Sequence, residues 1–546
     1  MIGIIANPTE HSVVREFFEL FKTPWEFYRS DRKYEVIVCA ADTDFARDAT
    51  KVTLIYGGQK LAFDSKESIA IASHPKNNRV LSHNETRIPI YGDCVTFQGE
   101  GSSILRDEES HLPAIELRQS GERLVGRVGY NLFGEVRTLL TTGQPVANAA
   151  MPALDLHIAL LRDLIIAGGV SLAEIPPVPD GYRFIACLTH DVDHPSIRLH
   201  RLDHTMFGFL YRAVFGSLFD VVQGRMPLRN LLRNWVAAVK LPFVHMGIAN
   251  DFWLEFDRYA KLEEGLRSSF FIIPFKDRPG QTAHGSAPSR RASPYGAQEI
   301  TAPIQALISA DCEIGLHGID AWLDGSQARE ELGEIRRITG TRDIGVRMHW
   351  LYFGEQSQGI LDKAGADYDS TVGFNETVGY RAGTGQVYKP LDAARLLELP
   401  LHVMDTALFY PGHMHLKAQE ARKRVGAIID HALHFGGVVT VNWHDRSIAP
   451  ERLWGDFYLQ LIDELKEKGA WVATASEAVA WFRKRRSVTF ENDSQKTNAA
   501  IGKLTANSDR QVPGLRLRVH TPGKSHQDTV LNTVVGQDVR IPLNNR

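Results

Sequence analysis

The chain has 546 residues, 43% of them hydrophobic, so it can bury a full core and exceeds what one domain usually holds. Its 62 basic and 65 acidic residues nearly cancel, which argues against a nucleic acid as partner. The 4 cysteines form no CxxC pattern, which favours buried thiols in a reducing compartment over disulfides. Because the first residues also lack the pattern of a secretory signal, we expect a cytoplasmic protein.

Residues 1–175 mix short β-rich runs with few long helical patterns, which predicts an α/β or α+β domain. The segment from Met151 to Ala167 carries apolar residues at helical spacing, and Gly168 then ends the pattern. The proline-rich EIPPVPDG that follows predicts a domain boundary. No catalytic constellation is recognisable in these residues, so the function of this domain stays unknown.

From residue 181 onward, compact apolar strands alternate with longer amphipathic segments, which is typical of βα units and of a parallel sheet or barrel. The strand candidates, in chain order, are FIACLTHDVD, SSFFIIPF, CEIGLHG, GVRMHWLYF, ADYDSTVGF, LLELPLHVM, GGVVTVNWHD and AWVAT. Several of them end in aspartate, histidine or arginine. Because the carboxyl ends of barrel strands converge on one face, we expect these side chains to share one cleft, as in an enzyme.

A long apolar segment interrupts this alternation. Its most apolar run, from Met206 to Phe219, contains Arg212 and falls short of the roughly 18 uncharged residues that a membrane span needs. We therefore predict a helical insertion over 205–253 that packs beside the core as a lid. A peripheral membrane contact through 206–253 is the alternative.

The motif THDVD places Asp191 and Asp193 two positions apart, on the same side of a strand or of its extended end. One carboxylate can then bind a metal while the other acts as a base. Carboxylate and neutral imidazole ligands with one open position allow a divalent metal to lower the pKa of bound water to about 7. Asp193 and His317, the histidine of CEIGLHG, would begin such a ligand set.

With these residues in view, the chain resembles the polysaccharide deacetylases, also called the NodB-homology domain or carbohydrate esterase family four. The resemblance covers about Tyr182 to Arg485 and rests on motifs in the family's order, here HDVDH, GLHG, RMH, YDST, GYRAGT and NWH. It implies a distorted, incomplete (β/α) barrel over 181–485, with Asp191 as base and Asp193 as metal ligand. It also implies a metal-dependent hydrolase of non-peptide carbon–nitrogen bonds that deacetylates an N-acetylated sugar or polysaccharide.

One family feature is missing. The second motif usually supplies two metal histidines as HxxxH, but His317 is followed four residues later by Ala321. The candidates for the third ligand are His349, which we favour, Asp320, and a water molecule. The resemblance implies zinc as the metal, with nickel, cobalt and manganese as alternatives.

The resemblance also implies roles for residues outside the ligand set. Arg347 would orient the base, and His444 would be the general acid. The residues implied to line the substrate cleft are Asp369, Arg381 and Trp443. An ordinary ion pair for Arg347 and a buried structural histidine for His444 remain alternatives.

Three other functions fit the same sequence. A related enzyme of this fold would open cyclic amides or imides instead of removing acetyl groups. The missing HxxxH partner and the large N-terminal domain instead favour a catalytically inactive scaffold or glycan-binding protein. The helices between Met206 and Trp253 would suit a membrane-surface assembly factor for envelope polysaccharide. The oligomeric state is not predicted.

The end of the chain is polar over 486–512, which predicts a flexible linker with too few apolar residues to pack. The alternating patterns LRLRVH and DVRIPL then predict strands. We expect a small β-rich appendage over 513–546, and we assign it no function.

Overall fold

The computed structural model describes residues 1–46, 50–73, 75–83, 86–98, 104–254, 256–492, 499–504, 512–531 and 538–542. Two compact units make up the chain. The first unit combines Met1–Gly181, Ala382–Thr384 and Ala480–Arg546, and the second combines Tyr182–Arg381 and Gly385–Val479. Each unit has its own sheets and helices.

The first unit is built on a six-stranded sheet in the order β2-β1-β3-β4-β9-β8, in which only the β8–β9 pair is antiparallel. Its strands are β1 (Ile2–Ile5), β2 (Trp25–Phe27), β3 (Val36–Cys39), β4 (Val52–Tyr56), β8 (Ile115–Ser120) and β9 (Arg123–Val128). A smaller sheet contains β5 (Arg79–His83), β6 (Thr86–Ile90) and β7 (Arg106–Asp107). The helices are α1 (His11–Phe21), α2 (Ala62–Lys66), α3 (Leu132–Thr141) and α4 (Ala153–Ala167).

Two antiparallel sheets complete the first unit. One contains β10 (Leu172–Glu174), β24 (Leu515–His520) and β25 (Gln527–Leu531). The other contains β22 (Val488–Asn492), β23 (Ala499–Leu504) and β26 (Asp538–Pro542). The structure differs here from the linker predicted over 486–512, since β22 and β23 pair through backbone hydrogen bonds that need few apolar side chains. Residues 493–498 and 505–511 of that segment lie outside the described residues.

The second unit is a mixed α/β unit around a curled, parallel half-barrel sheet in the order β18-β17-β16-β15-β12-β11-β20-β19, with β21 also paired to β11. Its strands are β11 (Phe184–Val192), β12 (Ser269–Ile272), β15 (Glu313–Gly318), β16 (Val346–Met348), β17 (Tyr368–Asp369), β18 (Leu397–Glu398), β19 (Val403–Met404), β20 (Val438–Asn442) and β21 (Ala470–Ala473). A short hairpin, β13 (Gln281–Thr282) and β14 (Gly285–Ser286), lies outside this sheet. The predicted alternation of strands and helices is confirmed.

Helices follow most of these strands. They are α8 (Phe256–Leu262), α9 (Thr301–Ser309), α10 (Gly325–Thr339), α11 (Ser357–Ala364), α12 (Asp405–Phe409), α13 (Ala418–Phe435), α14 (Gly455–Glu467) and α15 (Ala475–Arg486). Local sequence sets their ends: the Asp324 carboxylate accepts the first backbone N–H groups of α10, and Gly340 ends that helix with φ of 70°. All nine residues of β11 are buried, as expected for a strand inside a parallel sheet.

The predicted insertion forms α5 (His204–Tyr211), a π-helical turn (Arg212–Gly216), α6 (Ser217–Val222) and α7 (Leu228–His245). Its buried face packs in a cluster that includes Met206, Phe209, Ala213, Ala237, Leu241, Val244 and Trp253. By length and composition, the helical segment His204–Val222 could cross a membrane. The sequence predicted no membrane span here, because Arg212 interrupts the apolar run. In the structure, the helix continues through Arg212 as a π turn.

Candidate active site

The carboxyl ends of the central strands of the second unit surround a cavity of about 590 Å³. The parallel register sets His317 of β15 beside Arg347 of β16, and Thr189 of β11 beside Asn442 of β20. Five of the predicted residues line the cavity, namely Asp191, Asp193, His317, His349 and His444. Ionisable residues that are far apart in the sequence therefore do share one cleft.

Asp193, His317 and His349 form a cluster whose potential ligand atoms all lie within 4.8 Å of one another. The Asp193 Oδ1 atom is 3.3 Å from His317 Nε2 and 3.6 Å from His349 Nε2. His317 Nδ1 lies 3.0 Å from the carbonyl oxygen of Arg347, which can only accept a hydrogen bond. In the neutral ring, Nδ1 therefore carries the proton and Nε2 presents its lone pair to the cluster.

The charges of this cluster fit a divalent cation. Asp193 Oδ1 is buried and has no hydrogen-bond donor within the described part of the chain. Burial alone would raise the pKa of Asp193, but the charges of His349 and His317 hold it well below its usual range. Burial also lowers the pKa of His349 well below its ordinary value. One carboxylate and two imidazoles facing one point form a donor set that zinc and similar metals prefer.

The residue four positions after His317 does not belong to this cluster. Ala321 is fully buried, and His349 contributes the third side chain of the cluster. Asp320, the other candidate side chain, instead accepts a hydrogen bond from the backbone N–H of Gln281, at 2.7 Å. Just after His349, Trp350 and Leu351 have φ of 64° and 51°, an uncommon left-handed conformation for bulky residues that turns the chain sharply.

Asp191 lies beside this cluster and is held at both carboxylate oxygens. Arg347 Nη1 donates to its Oδ1 at 3.0 Å, and Asn442 Nδ2 donates to its Oδ2 at 2.7 Å. The fully buried Arg347 is itself fixed by hydrogen bonds to Thr189 and Ser370. Sequence reasoning missed Asn442, although it stands in the NWH motif two residues before His444.

His444 faces the cluster from the other side, with its Nε2 3.8 Å from Asp193 Oδ2. Its Nδ1 lies 2.6 Å from the buried Asp405 carboxylate, and its backbone N–H donates to the same carboxylate at 2.7 Å. Burial alone would lower the pKa of His444, but the charge and hydrogen bond of Asp405 outweigh it and raise the pKa to about 9. Asp405 was not predicted, although it directly follows the strand candidate LLELPLHVM.

The three predicted substrate-binding residues do not line the cavity. The side chains of Asp369 and Trp443 are fully buried. Asp369 accepts hydrogen bonds from Thr371, and Trp443 stacks on Phe457 and Tyr458. Arg381 donates to the backbone carbonyl of Gly373.

Several residues that sequence reasoning missed line the cavity instead. They are the arginines Arg212, Arg290, Arg291, Arg446 and Arg452 and the aromatic residues Trp350, Tyr352 and Tyr410. Neither group forms a compact motif, since the members come from separate loops and from the helical insertion. A sequence read strand by strand gives little signal for such a set.

In comparisons with known proteins, no family model and no curated protein matched the chain. Solved structures that it resembles include a protein described as a polysaccharide deacetylase from Mycobacterium smegmatis. The identity is 17%, with coverage of 57% of this chain and 95% of that one and a TM-score of 0.35. A family 4 acetyl xylan esterase from Clostridium thermocellum, in complex with a cobalt ion, is 13% identical, with coverage of 54% and 91% and a TM-score of 0.24. A family-four pseudoenzyme from Bacillus anthracis is 11% identical, with coverage of 56% and 68% and a TM-score of 0.26.

Proposed function

We propose that the second unit is a metal-dependent hydrolase of the polysaccharide-deacetylase type that cleaves the carbon–nitrogen bond of an N-acetylated sugar or polysaccharide. One observation carries this proposal. The ligand cluster of Asp193, His317 and His349 lies in a single cavity with two proton-transfer groups, Asp191 and His444, close to Asp193 and His317. Zinc fits the ligand set, and nickel, cobalt and manganese are the alternatives.

When bound, a divalent cation supplies Lewis acidity that polarises the amide carbonyl and lowers the pKa of water. The protein contributes the base. Asp191 accepts a proton from the attacking water, and its hydrogen bonds from Arg347 and Asn442 fix its orientation. Arg347 is thus a positioning residue.

His444 provides the acid. The Asp405 carboxylate holds the Nδ1 proton of the imidazole, so Nε2 points towards the cluster and can donate a proton to the leaving nitrogen. Because its pKa is about 9, His444 carries that proton at neutral pH. The proton transfers of amide hydrolysis therefore balance, because the carboxylate accepts one proton and the imidazolium donates one.

The cavity fits a sugar-sized ligand. Its volume of about 590 Å³ lies in the range of small-molecule sites. Trp350, Tyr352 and Tyr410 give its wall apolar faces on which a sugar ring can stack. An open cavity at the carboxyl ends of parallel strands is also where α/β enzymes place their substrates.

The test combines metal analysis with hydrolysis assays on the purified full chain. We expect a bound divalent metal that is lost in Asp193→Ala and in His317→Ala but kept in the control Asp320→Ala. Acetylated amino sugars assayed beside cyclic amides identify the reaction. Retention of the metal in both ligand variants would contradict the proposed site, and hydrolysis of cyclic amides alone would replace the proposed substrate.

A further inference from the structure

An arginine cluster forms part of the cavity wall. Arg212, Arg446 and Arg452 all approach the same buried carboxylate, Glu451, at 3.0 Å, 3.8 Å and 3.7 Å. Glu451 lies behind the wall, whereas the three guanidinium groups belong to residues that line the cavity. Glu451 and the neighbouring Asp445 offset two of the three positive charges, so the cluster keeps a net positive charge.

Arg446 is held inside this wall. Its Nη1 atom is buried, faces Glu451 Oε1 at 3.8 Å and makes no hydrogen bond among the residues that the structure describes. The guanidinium lies over the ring of Trp253, 4.8 Å from the ring centroid, which holds it in place. Burial, and then the charge of Arg452, lower the pKa of Arg446 to about 10.

Other contacts fix the remaining two arginines without removing their charge. Arg452 donates to the hydroxyl of Ser447 at 3.0 Å and lies over Trp454, and its Nε atom is another buried donor with no partner in the described part of the chain. Arg212 lies over the ring of Tyr410. The nearby Asp445 carboxylate already accepts backbone N–H groups, those of His194 and Arg446.

We propose that this arginine cluster binds an oxyanion carried by the substrate, so the hydrolase acts on an acetylated sugar that bears a phosphate or carboxylate group. Guanidinium groups that line a cavity recognise such groups through charge-assisted hydrogen bonds. The cavity-lining residues include five arginines but only two acids, Asp191 and Asp193. This inference rests on the proposed function, since both concern the same cavity.

Binding of inorganic phosphate to the full chain tests this subsite without requiring hydrolysis. We expect Arg446→Gln to weaken phosphate binding in calorimetry by about 10- to 100-fold, the loss of a buried charge-assisted hydrogen bond. Arg212→Gln should also weaken phosphate binding. Because Arg212 is more exposed than Arg446, this variant tests the subsite even if Arg446→Gln does not fold. The control Arg337→Gln removes an exposed arginine outside the cavity.

Metal content is measured in each variant, so that phosphate bound at the metal is told apart from phosphate bound at the cluster. Competition by glucuronate or by a sugar phosphate supports the subsite and identifies the oxyanion. Equal phosphate affinity in wild type, Arg446→Gln and Arg212→Gln would overturn it, as would competition by uncharged sugars alone. Phosphate binding without amide hydrolysis would support the subsite and count against the proposed reaction.

The outer face of the helical insertion carries a separate inference. Large apolar side chains recur along it at helical spacing, each with between 42% and 78% of its surface exposed. On the first helical segment they are Phe207, Tyr211, Phe215, Leu218, Phe219 and Val222, and on α7 they are Leu228, Leu232, Trp235, Val236, Val239 and Phe243. We call these residues the apolar face. A continuous exposed face of this kind marks an interaction surface.

The charges around the apolar face identify its partner. In the segment 204–246, Arg212 and Arg229 pair with Glu451 and Asp456, whereas Arg225, Arg233 and Lys240 add positive charge. Asp220 is its one acidic residue in the sequence. The whole chain has a net charge of −3, so positive charge is concentrated here. A second copy of the chain is disfavoured, because a two-fold contact would bring two basic faces together.

We infer that the apolar face lies on an anionic lipid bilayer, with Arg233 and Lys240 near the headgroups. Both basic residues are exposed on α7. The segment does not cross the bilayer, because its other face packs inside the second unit and Arg212 pairs with Glu451 there. An amphipathic helix with a basic polar side is typical of such interfacial binding.

Flotation of the full chain with phosphatidylglycerol-containing vesicles, and with pure phosphatidylcholine vesicles, tests this contact. We expect binding to the anionic vesicles that falls about tenfold or more in Phe219→Asp/Val236→Asp/Val239→Asp. The matched control Val146→Asp/Leu323→Asp/Leu459→Asp adds the same charge at exposed apolar positions elsewhere and should bind like wild type. The inference would be overturned if the wild type did not bind the anionic vesicles, or if the control variant lost binding equally. It would also be overturned if the only effect of the triple variant were to dissociate a dimer.

Discussion

Each unit of this protein contains a fully buried arginine paired with a buried aspartate, and the two pairs have different surroundings. In the first unit, Arg127 Nε and Nη2 both donate to Asp64, at 2.7 Å and 3.2 Å, and other guanidinium hydrogens reach backbone carbonyls. In the second unit, Arg347 donates to one oxygen of Asp191, and the other oxygen accepts from Asn442. Asp191 also lines the cavity.

The two carboxylates differ in whether they are accessible to a ligand. Asp64 is saturated, since it also accepts the backbone N–H of Leu61 at the start of α2, so its pair holds the local backbone together. Asp191 instead lines the cavity, where its Oδ2 atom lies 3.9 Å from His317 Nε2. An ion pair becomes a candidate for catalysis when the structure leaves one of its charges accessible to a ligand.

The largest expected effect is on the hydrolysis rate, and it distinguishes Asp191 from Asp64. Asp191→Asn should lower the hydrolysis rate about 10²- to 10⁴-fold while the metal stays bound, because the amide cannot accept the proton. Asp64→Asn should leave the rate of the folded enzyme near that of wild type. Steady-state kinetics with metal analysis measures both. Unchanged turnover in Asp191→Asn would remove the proposed base.

The next effect concerns stability. Arg127→Met leaves the buried Asp64 carboxylate without its counter-charge and should destabilise the first unit by about 3–5 kcal/mol. Hydrogen exchange of the β4 and β9 amides reports this locally. The double variant Arg127→Met/Asp64→Leu should recover most of the loss, because no charge is then left uncompensated. A loss below about 1 kcal/mol in the single variant would show that the pair is not the structural element that its geometry indicates.

The smallest expected effect is on the stability of β24, through the less enclosed contacts of Glu174. Arg162 and His520 both contact Glu174 of β10, at 2.9 Å and 3.0 Å. Burial alone would raise the pKa of Glu174, but the charge of Arg162 and the contact with His520 outweigh it and bring the pKa down to about 2. A lowered folded-state pKa gives stability that is present above about pH 4.5 and lost as the pH falls towards about 2.

Glu174→Gln should therefore lower the stability of β24 at neutral pH. It should also flatten the pH dependence of the protection of the β24 amides from exchange between about pH 4.5 and 2. His520 pairs with Glu174 across β10 and β24, so the β24 amides are the reporters. A wild-type protection factor, the exchange rate relative to the intrinsic rate at each pH, that does not change over this window would count against the pair as a stabilising contact.

The sequence was most informative where a short apolar run ended in an ionisable residue. Asp191, Asp193, His317 and His444 were found in this way, because strand ends in a parallel sheet point to one edge. Asp369 and Trp443 also stand near strand ends but are buried away from the cavity, since a residue near a strand end can also face the core. It missed Asp405 and Asn442, which act by holding another side chain.

By itself, the sequence determined the alternation of strands and helices in the second unit and the residue types at the ends of its strands, because hydrophobic periodicity is a local property. The tertiary structure decided that His349 and not Asp320 completes the cluster with Asp193 and His317. It also brought Arg212 of the insertion to Arg446 and Arg452, and exposed the apolar face. These outcomes depend on strand register, on the turn after His349 and on the packing of loops, and no short stretch of sequence encodes them.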